Sequence, residues 1–312
     1  MTKKSIGKAK PFVKWVGGKG QLISQLESLL PSDFGKRDGV TYIEPFVGGG
    51  AMLFYLLQKY SNIKSAIIND INPDLTTCYR IVRDKPAELI SALQDVQTEY
   101  YALTTDEKRK EFFLSCRDKF NAKQCGEVEN SVLFLFLNRT CFNGLYRVNK
   151  AGKFNVPFGK YKTPTICDPL TIYADSKLLQ KVDIMTGDFE QTFSKIDGET
   201  FFYLDPPYRP LNATSNFNDY SKESFNDASQ IRLKKFCDRL DAMGVTFMLS
   251  NSDGMQCEVQ DDFFDELYVD YQMYRVLATR SINSVASKRG KLTEIVVGNQ
   301  LYQGKDLFTN IR

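Results

Sequence analysis

The hydrophobic pattern of this chain alternates between short apolar runs and longer amphipathic stretches. Short runs that end near a turn residue predict buried strands. They cover residues 41–46, 65–69, 181–187, 200–204 and 245–250. Apolar residues at helical spacing predict helices over 21–30, 52–60 and 228–243. This alternation is typical of an α/β protein, and the two last runs, 266–277 and 293–301, predict an antiparallel pair.

The middle of the chain interrupts this alternation. Residues 73–127 are polar with apolar residues at helical spacing, which predicts an inserted helical subdomain. The run 132–137 fits either a buried helix or a strand, because periodicity alone does not separate the two. Residues 138–162 contain turn residues such as Asn143-Gly144, which favour a hairpin.

A glycine-rich turn, residues 47–51, connects the first strand to its helix. A strand, a glycine turn and a helix open a doubly wound α/β unit, and Asp70 follows at the distance where an acid can bind ribose hydroxyls. The glycine spacing is not G-x-G-x-x-G, so a nucleoside without a pyrophosphate fits better than NAD. Asp188-Phe189 ends the next strand and offers a carboxylate and a ring to a purine.

The tetrapeptide Asp205-Pro206-Pro207-Tyr208 ends the apolar run 200–204, because proline cannot donate to a sheet ladder. The Asp205 carboxylate and the Pro206 carbonyl can each accept one hydrogen from an exocyclic amine, and Tyr208 can stack on its ring. This arrangement would make the amine nitrogen a better nucleophile. The alternative is that the tetrapeptide only terminates a strand in a turn.

The composition excludes several classes of chemistry. The 312 residues include no histidine, which excludes Ser-His-Asp hydrolysis, HEXXH metalloproteases and histidine-dependent nucleases. The sequence has no apolar run of about 18 residues and no apolar signal-peptide core. The seven cysteines form no Cys-x-x-Cys pair, which favours a reduced, cytoplasmic protein without structural zinc or another metal.

The net charge of +3 conceals a strong segregation of charge. Residues 1–26, 130–167 and 271–293 contain no acidic residue and hold 17 of the 41 basic residues. If these stretches converge in space, they form a phosphate-binding face. Basic and aromatic residues alternate within 138–162, as suits insertion into a nucleic-acid groove.

These segments, in this order, resemble the Dam-type DNA adenine-N6 methyltransferases. The resemblance covers nearly the whole chain and rests on four motifs: 14–19 (KWVGGK), 44–50 (EPFVGGG), 154–159 (FNVPFG) and 205–208 (DPPY). It implies a Rossmann-like, S-adenosylmethionine-dependent methyltransferase sheet with an inserted helical and β-hairpin DNA-recognition domain. The catalytic domain would comprise residues 1–72 and 168–312, and the recognition domain residues 73–167.

The resemblance also implies roles for individual residues. The catalytic residues would be Asp205, Pro206 and Tyr208. S-adenosylmethionine would be bound by Trp15, Lys19, Phe46, Gly48, Gly50, Asp70, Asp188, Phe189 and Asp205. Duplex DNA would be bound by Lys14, Arg139, Phe142, Asn143, Leu145, Arg147, Asn149, Pro157, Lys160, Tyr161, Lys288 and Arg289.

Within the family, the readers of GATC use a hairpin whose Leu, Arg and Pro positions match Leu145, Arg147 and Pro157. Lys14 matches a lysine that contacts the first guanine. Two positions depart from the pattern. Phe142 stands where an intercalating tyrosine is found, which loses a hydroxyl contact, and Lys160 replaces an arginine, which loses bidentate geometry.

Other interpretations remain open at this point. A related enzyme could methylate an RNA base or a protein glutamine, although such enzymes usually carry Asn before Pro-Pro-Tyr. The target could also be an adenine outside GATC, or the protein could bind DNA without turnover. A restriction nuclease is disfavoured, because no Pro-Asp…Glu-x-Lys arrangement is present in a suitable context. We expect a monomer, with a cognate restriction endonuclease as a possible partner.

Overall fold

Seven strands in the described part of the chain form one sheet. The structure is a computed structural model that describes residues 7–209, 225–253, 261–279 and 291–302. The strands are β1 (Val40–Glu44), β2 (Ile63–Asp70), β3 (Val182–Thr186), β4 (Thr200–Leu204), β5 (Thr246–Ser252), β6 (Gln272–Thr279) and β7 (Lys291–Gly298). Their order is β3-β2-β1-β4-β5-β7-β6, with β7 antiparallel to both neighbours and the other pairs parallel. This Rossmann-like α/β sheet confirms the predicted fold class.

Nine α-helices accompany the sheet in the described residues. They are α1 (Ile23–Ser28), α2 (Ala51–Lys59), α3 (Pro73–Asp84), α4 (Pro86–Ala102), α5 (Asp106–Ala122), α6 (Glu127–Thr140), α7 (Pro169–Leu179), α8 (Asp227–Ala242) and α9 (Phe263–Leu267). The prediction of a helix over 21–30 was too long, because a separate 3-10 turn occupies Lys19–Gln21. The last antiparallel pair was predicted to start at 266, but α9 ends at Leu267 and β6 begins at Gln272.

The central strand β4 shows how the sheet is covered on both faces. All five of its residues are buried. Phe201 and Tyr203 belong to one apolar cluster, whereas Phe202 and Leu204 belong to a second one. Successive side chains of a strand point to opposite faces, so a continuous apolar run is what a strand buried on both sides requires.

The helical insertion packs around α6. This helix contains the run 132–137, whose helix-or-strand ambiguity the structure resolves in favour of a helix. Its apolar residues are buried all round, because α3, α4 and α5 each pack against it. Its apolar residues and those of α2 belong to one continuous cluster. The division into domains at residues 73 and 168 stays a prediction.

The predicted hairpin consists of two neighbouring segments joined by a loop, with little regular strand structure. Two isolated bridges join Cys141 to Phe158 and Val148 to Phe154. The Phe142 amide donates to the Pro157 carbonyl at 2.8 Å, which closes the base of the loop. We name residues 138–162 the recognition loop.

Side chains hold the N-terminal arm, residues 7–18, on the body by bonding to its main chain. Asn138 is buried, and its side-chain amide bonds both main-chain groups of Lys14. The Lys14 N–H donates to Asn138 Oδ1, and Asn138 Nδ2 donates to the Lys14 carbonyl, both at 2.8 Å. Asn138 Nδ2 also donates to the Gly144 carbonyl at 3.0 Å. Arg139 donates to the Phe12 carbonyl at 2.7 Å. The arm is therefore fixed against the start of the recognition loop.

Replacing Asn138 by Leu, a side chain of similar volume, tests this attachment. The substitution removes the partners of three main-chain groups, and unpaired buried groups cost about 1–3 kcal/mol each. We expect the free energy of unfolding to fall by about 2–4 kcal/mol after partial relaxation, measured by urea denaturation. The control, Lys14→Ala, keeps all three main-chain bonds and should change the free energy of unfolding by less than about 1 kcal/mol. Equal losses in the two variants would contradict the attachment.

Candidate functional site

The crevice at the carboxyl ends of β1 and β4 is the topological switch point of the sheet. From β1 the chain proceeds to β2 on one side, and from β4 it proceeds to β5 on the other. In open α/β sheets, ligands bind where the strand order reverses in this way. The glycine turn follows Glu44 at the end of β1, and Asp205 follows Leu204 at the end of β4. Two motifs separated by about 160 residues thus lie on adjacent strands.

The glycine turn needs its glycines for conformation and for space. Gly48 and Gly50 have φ values of +46° and +70°, which L side chains rarely adopt. A Cβ on Gly48 would lie 2.7 Å from Trp15 Cδ1, and one on Gly50 would lie 2.5 Å from the Tyr79 hydroxyl. The Trp15 indole therefore lies directly against the turn. Trp15 and the turn glycines were predicted to bind the same cofactor, and this requires them to be close together.

Asp70 is tied to this turn through its carboxylate. The Gly48 N–H donates to Asp70 Oδ2 at 3.1 Å, and the Asn72 N–H donates to Oδ1 at 2.9 Å. Burial raises the pKa of Asp70 to about 6, although these backbone donors oppose the rise. A carboxylate has about four acceptor positions, so Asp70 can still accept hydrogens from hydroxyl groups.

Next to Asp70, a buried asparagine joins three strand ends. Asn69 Nδ2 donates to the Pro45 carbonyl at 3.0 Å and to the Gly187 carbonyl at 2.9 Å. These bonds connect the ends of β1, β2 and β3. Its Oδ1 is buried without a hydrogen-bond partner in the structure. The acceptor is therefore an unsatisfied polar group beside the glycine turn and Asp70.

Three aromatic rings lie beside the turn on the β3 side. The Phe46 ring lies 5.2 Å from the Phe189 ring and 5.8 Å from the Phe225 ring, measured between centroids. Asp188 accepts a bond from Arg232 Nη2 at 2.5 Å, and the Arg232 guanidinium lies 4.5 Å over the Phe189 ring. The carboxylate predicted to meet a purine amine is thus already ion-paired in this structure.

A buried charged cluster occupies the β4 side of the crevice. Lys19 is only 3% exposed, and its Nζ lies 3.1 Å from Asp205 Oδ1 and 2.7 Å from Glu294 Oε2. The Tyr208 hydroxyl donates to Glu294 Oε2 at 2.5 Å, and Lys19 Nζ lies 4.4 Å from the centre of the Tyr208 ring. We name Lys19, Asp205, Tyr208 and Glu294 the switch-point cluster.

The electrostatics of this cluster keep opposite charges together. Burial alone would lower the pKa of Lys19, but Asp205 and Glu294 outweigh burial and raise it. Burial raises the pKa of Asp205 to about 6, with Lys19 opposing and Glu294 adding to the rise. Burial raises the pKa of the neighbouring Glu44 carboxyl far above its usual range, and Tyr42 donates to it at 2.8 Å.

The N-terminal arm connects this site to the recognition loop. The Trp15 indole stacks on Tyr146 with ring centroids 5.6 Å apart and planes inclined by 22°. The Tyr146 hydroxyl donates to Asp74 Oδ2 at 3.1 Å. Lys14 is exposed, and its Nζ lies 5.2 Å from the centre of the Tyr161 ring. Residues 1–26 thus meet 130–167 here, and Gln25 bonds the main chain of Leu277 in 271–293. Arg275 of this third basic stretch is ion-paired with Asp253 and Asp265.

The recognition loop presents several of the predicted DNA-binding side chains. Phe142 is 52% exposed, and Pro157 and Lys160 are also exposed. Asn143 and Lys160 adopt left-handed backbone angles with φ of 57° and 58°. Leu145 is half-buried and packs against the core. Arg147 Nε donates to Asn155 Oδ1 at 2.8 Å, which orients its guanidinium.

Other predicted residues contribute to the fold in this structure. Arg139 is half-buried and bonds the arm, and Asn149 Oδ1 accepts from the Ala151 and Lys153 amides to form the turn. Lys288 and Arg289 lie outside the described residues. Sequence reasoning missed Glu294, Glu44 and Asn138. Glu44 directly precedes the glycine turn and Asn138 opens the hairpin stretch, but Glu294 stands in no motif that would have indicated it.

Comparison with known proteins identifies the family. Residues 15–282 match the sequence model of the D12 class N6 adenine-specific DNA methyltransferases. The chain belongs to this family. It is 50% identical to the Type II methyltransferase M.MjaIII of Methanocaldococcus jannaschii, over 90% of this chain and 95% of that protein. It is 32% identical to the DNA adenine methylase of Escherichia coli (strain K12), over 93% of this chain and 95% of that protein.

The family assignment makes this protein an adenine-specific DNA methyltransferase. Membership implies DNA as the substrate and S-adenosylmethionine as the methyl donor. Within the described residues, no helix is both long and apolar enough to cross a membrane. The same residues contain no group of three or more Cys, Asp or Glu side chains placed to hold a metal ion.

The ionisation of Asp205 predicts a pH dependence for methyl transfer. Because the carboxylate is the form that accepts hydrogens, kcat/KM for duplex DNA should fall about tenfold per unit below pH about 6. Lys19 lowers the pKa of Asp205, so Lys19→Met should move this acid limb to higher pH. The pKa of Asp70 is also about 6, so its titration could weaken cofactor binding over the same pH range. Saturating S-adenosylmethionine prevents that effect from contributing to the measured limb.

The matched control for this measurement is Lys59→Met, which removes a lysine that also pairs with a glutamate, Glu27. That pair lies outside the site and should leave the acid limb unchanged. An unshifted limb in Lys19→Met, with the variant folded, would contradict the assigned electrostatics.

Proposed function

We propose that this methyltransferase transfers the methyl group of S-adenosylmethionine to N6 of an adenine in GATC, after that base leaves the duplex. The observation that carries the proposal is the meeting at the switch point of Asp205-Pro206-Pro207-Tyr208, the glycine turn and the N-terminal arm. The same arm contacts the exposed recognition loop. Residues 73–167 would recognise DNA, and residues 1–72 and 168–312 would carry out the reaction.

The residues of the crevice fit the chemistry of S-adenosylmethionine. Asp70 and the unsatisfied Asn69 Oδ1 offer acceptors for hydroxyl groups, and Gly48 and Gly50 let Trp15 and Tyr79 pack directly against the turn beside them. Phe46 and Phe189 offer ring faces to a purine, with Asp188 beside them. Trp15, Lys19 and Asp205 are the remaining residues proposed to bind the cofactor. The cofactor supplies a methyl group activated by its sulfonium, so no strong base is needed.

The target adenine would be held by the tetrapeptide after β4. The Asp205 carboxylate and the Pro206 carbonyl would each accept one hydrogen of the adenine amine. Lys19 and Glu294 hold the hydroxyl of the half-buried Tyr208 side chain, and a face of its ring would stack on the base. Unstacking a base costs a few kcal/mol, which these contacts offset. The protein then aligns the amine with the methyl carbon and its leaving sulfur.

Sequence recognition would be the task of the recognition loop. The orientation of Arg147 by Asn155 supports a bidentate contact to the O6 and N7 atoms of guanine, worth about 1–3 kcal/mol. Lys14 would contact the first guanine of the site, and Leu145 and Pro157 would provide apolar contacts. The exposed Phe142 ring would insert between bases. Phosphate contacts from Lys160 and neighbouring bases would supply affinity without sequence preference.

The biological setting follows from the type of relative. Because the relative at 50% identity is named a Type II methyltransferase, we place this protein beside a restriction endonuclease of the same specificity. Methylation of the site would then protect the host DNA.

Removing the Asp205 carboxylate tests its catalytic role. Asp205→Ala should lower kcat by about a thousandfold or more, since it removes an acceptor that aligns the nucleophile. Duplex binding, measured by fluorescence anisotropy, should change less than about threefold. Asp183→Ala, which removes an exposed carboxylate on β3, serves as the control. Equal losses of turnover and of binding would contradict the role.

A pair of recognition-loop variants tests how sequence is read. Arg147→Ala should lose about 1–3 kcal/mol on GATC and relax the choice of base at one position. Lys160→Ala should weaken binding to all duplexes alike, because it removes only a phosphate contact. Competition binding against duplexes with single changes in GATC measures both. Indistinguishable specificity profiles for the two variants would refute the assignment.

A further inference from the structure

Glu294 joins the switch-point cluster from a part of the chain that carries none of the family motifs quoted above. It lies on β7, opposite Ser252 of β5 and Val276 of β6. Its side chain is 17% exposed, and a single oxygen, Oε2, meets both Lys19 Nζ at 2.7 Å and the Tyr208 hydroxyl at 2.5 Å. One acceptor thus holds two groups of the proposed active site.

The position of Glu294 determines how Lys19 is shared. Lys19 Nζ lies closer to Glu294 than to Asp205, at 2.7 Å against 3.1 Å. A buried ammonium with only one carboxylate would pair with it fully, because an unpaired buried charge is very costly. In this structure the Oδ1 atom of Asp205 meets Lys19 Nζ at 3.1 Å and accepts from Ser250 Oγ at 3.3 Å. Without Glu294, Lys19 would engage the Asp205 carboxylate fully. Glu294 shares the ammonium and so leaves this carboxylate with acceptor capacity for the adenine amine.

Glu294 also determines the orientation of the Tyr208 ring. Tyr208 is the last residue of the tetrapeptide, and its preceding residue, Pro207, is exposed. The hydroxyl donates to Glu294 and accepts from the Lys19 ammonium. A ring whose hydroxyl is held by these two groups keeps a fixed orientation. In that orientation it can stack on a flipped base.

The cluster carries an excess negative charge when its carboxylates are ionised. Asp205 and Glu294 together contribute two negative charges against the single positive charge of Lys19. A site with this balance favours a cationic ligand over a neutral one. The sulfonium of S-adenosylmethionine is such a cation.

We propose that Glu294 is a positioning residue for methyl transfer: it shares Lys19 with Asp205 and fixes the Tyr208 ring, so that an Asp205 oxygen stays available to the adenine amine. This inference rests on the proposed role of Asp205. Glu294 itself need not contact the base or the cofactor.

The proposal has a consequence for the acid limb of activity. The ionisable groups that act on Asp205 are Lys19 from the arm, Glu294 from β7, Glu44 and Tyr42 from β1, and Tyr203 from β4. Of these, Glu294 raises the pKa of Asp205 and Lys19 lowers it. Neutralising Glu294 removes a like charge and releases Lys19 entirely to Asp205. Both effects lower the pKa of Asp205.

The test compares Glu294→Gln, Glu294→Asp and the parent enzyme in steady-state methylation of a GATC duplex between pH 5 and pH 9. Glu294→Gln should lower kcat at least about tenfold and move the acid limb to lower pH by about one unit. Glu294→Asp keeps the charge but shortens the reach, so kcat should fall while the limb moves less. A merely structural role would lower kcat without moving the limb.

Glu27→Gln is the matched control, because Glu27 accepts from Tyr55 and Tyr60 and pairs with Lys59 outside the site. It should leave kcat and the acid limb unchanged. An unchanged kcat or an unshifted limb in folded Glu294→Gln would overturn the proposal. Asp205→Ala separates this failure from that of the proposed function: if Asp205→Ala still abolishes turnover, only the role of Glu294 is refuted.

Discussion

The structure depends on one buried cation, the ammonium of Lys19, and on the carboxylates that hold it. A charge this deeply buried is tolerated only when it is paired and hydrogen-bonded. Its carboxylate partners, Asp205 and Glu294, come from the end of β4 and from β7, both far from Lys19 along the chain. The cluster therefore forms only when the arm, β4 and β7 are all in place. Removing Lys19 would leave two carboxylates without their shared cation at the centre of the site.

The N-terminal arm is shared between catalysis and DNA recognition. On one side, Trp15 lies against the glycine turn and Lys19 reaches Asp205. On the other, Trp15 stacks on Tyr146 and Asn138 bonds the main chain of Lys14. A segment in contact with both functions gives the protein a physical connection between reading a sequence and placing a base. The tight Asn138 attachment keeps that connection rigid.

Residues whose environment is set by local sequence were predictable. The strand 200–204 was predicted with its observed bounds, because an apolar run closed by Pro-Pro has few alternatives. Helix α7 was not predicted, although Asp168 followed by Pro169 is a helix-start signal and Asp168 Oδ1 caps Thr171. The run 132–137 stayed ambiguous until its packing was known. A continuous apolar run indicates that a segment is buried, but it does not show which elements pack around that segment.

Residues whose role depends on distant partners were not predictable from one sequence. Glu294 directly precedes the buried run Ile295-Val296-Val297 of β7, and a single carboxylate at the start of such a run indicates no particular partner. The prediction that Arg139 binds DNA used its charge, whereas its bond to the Phe12 carbonyl depends on the fold that places the arm beside it. Charge and residue type predict what a side chain can do, whereas the fold decides which partner it meets.

The measurement that tests the central claim most directly maps methyl groups on DNA. Plasmid DNA without N6-methyladenine would be incubated with the enzyme and labelled S-adenosylmethionine, and methylation would be read at every adenine. We expect the label on N6 of the GATC adenine and at no other position. Methylation at a different adenine sequence would retain the chemistry of the switch point and contradict the specificity assigned to Leu145, Arg147 and Pro157. Cofactor binding with no label on any DNA would contradict the proposed function itself.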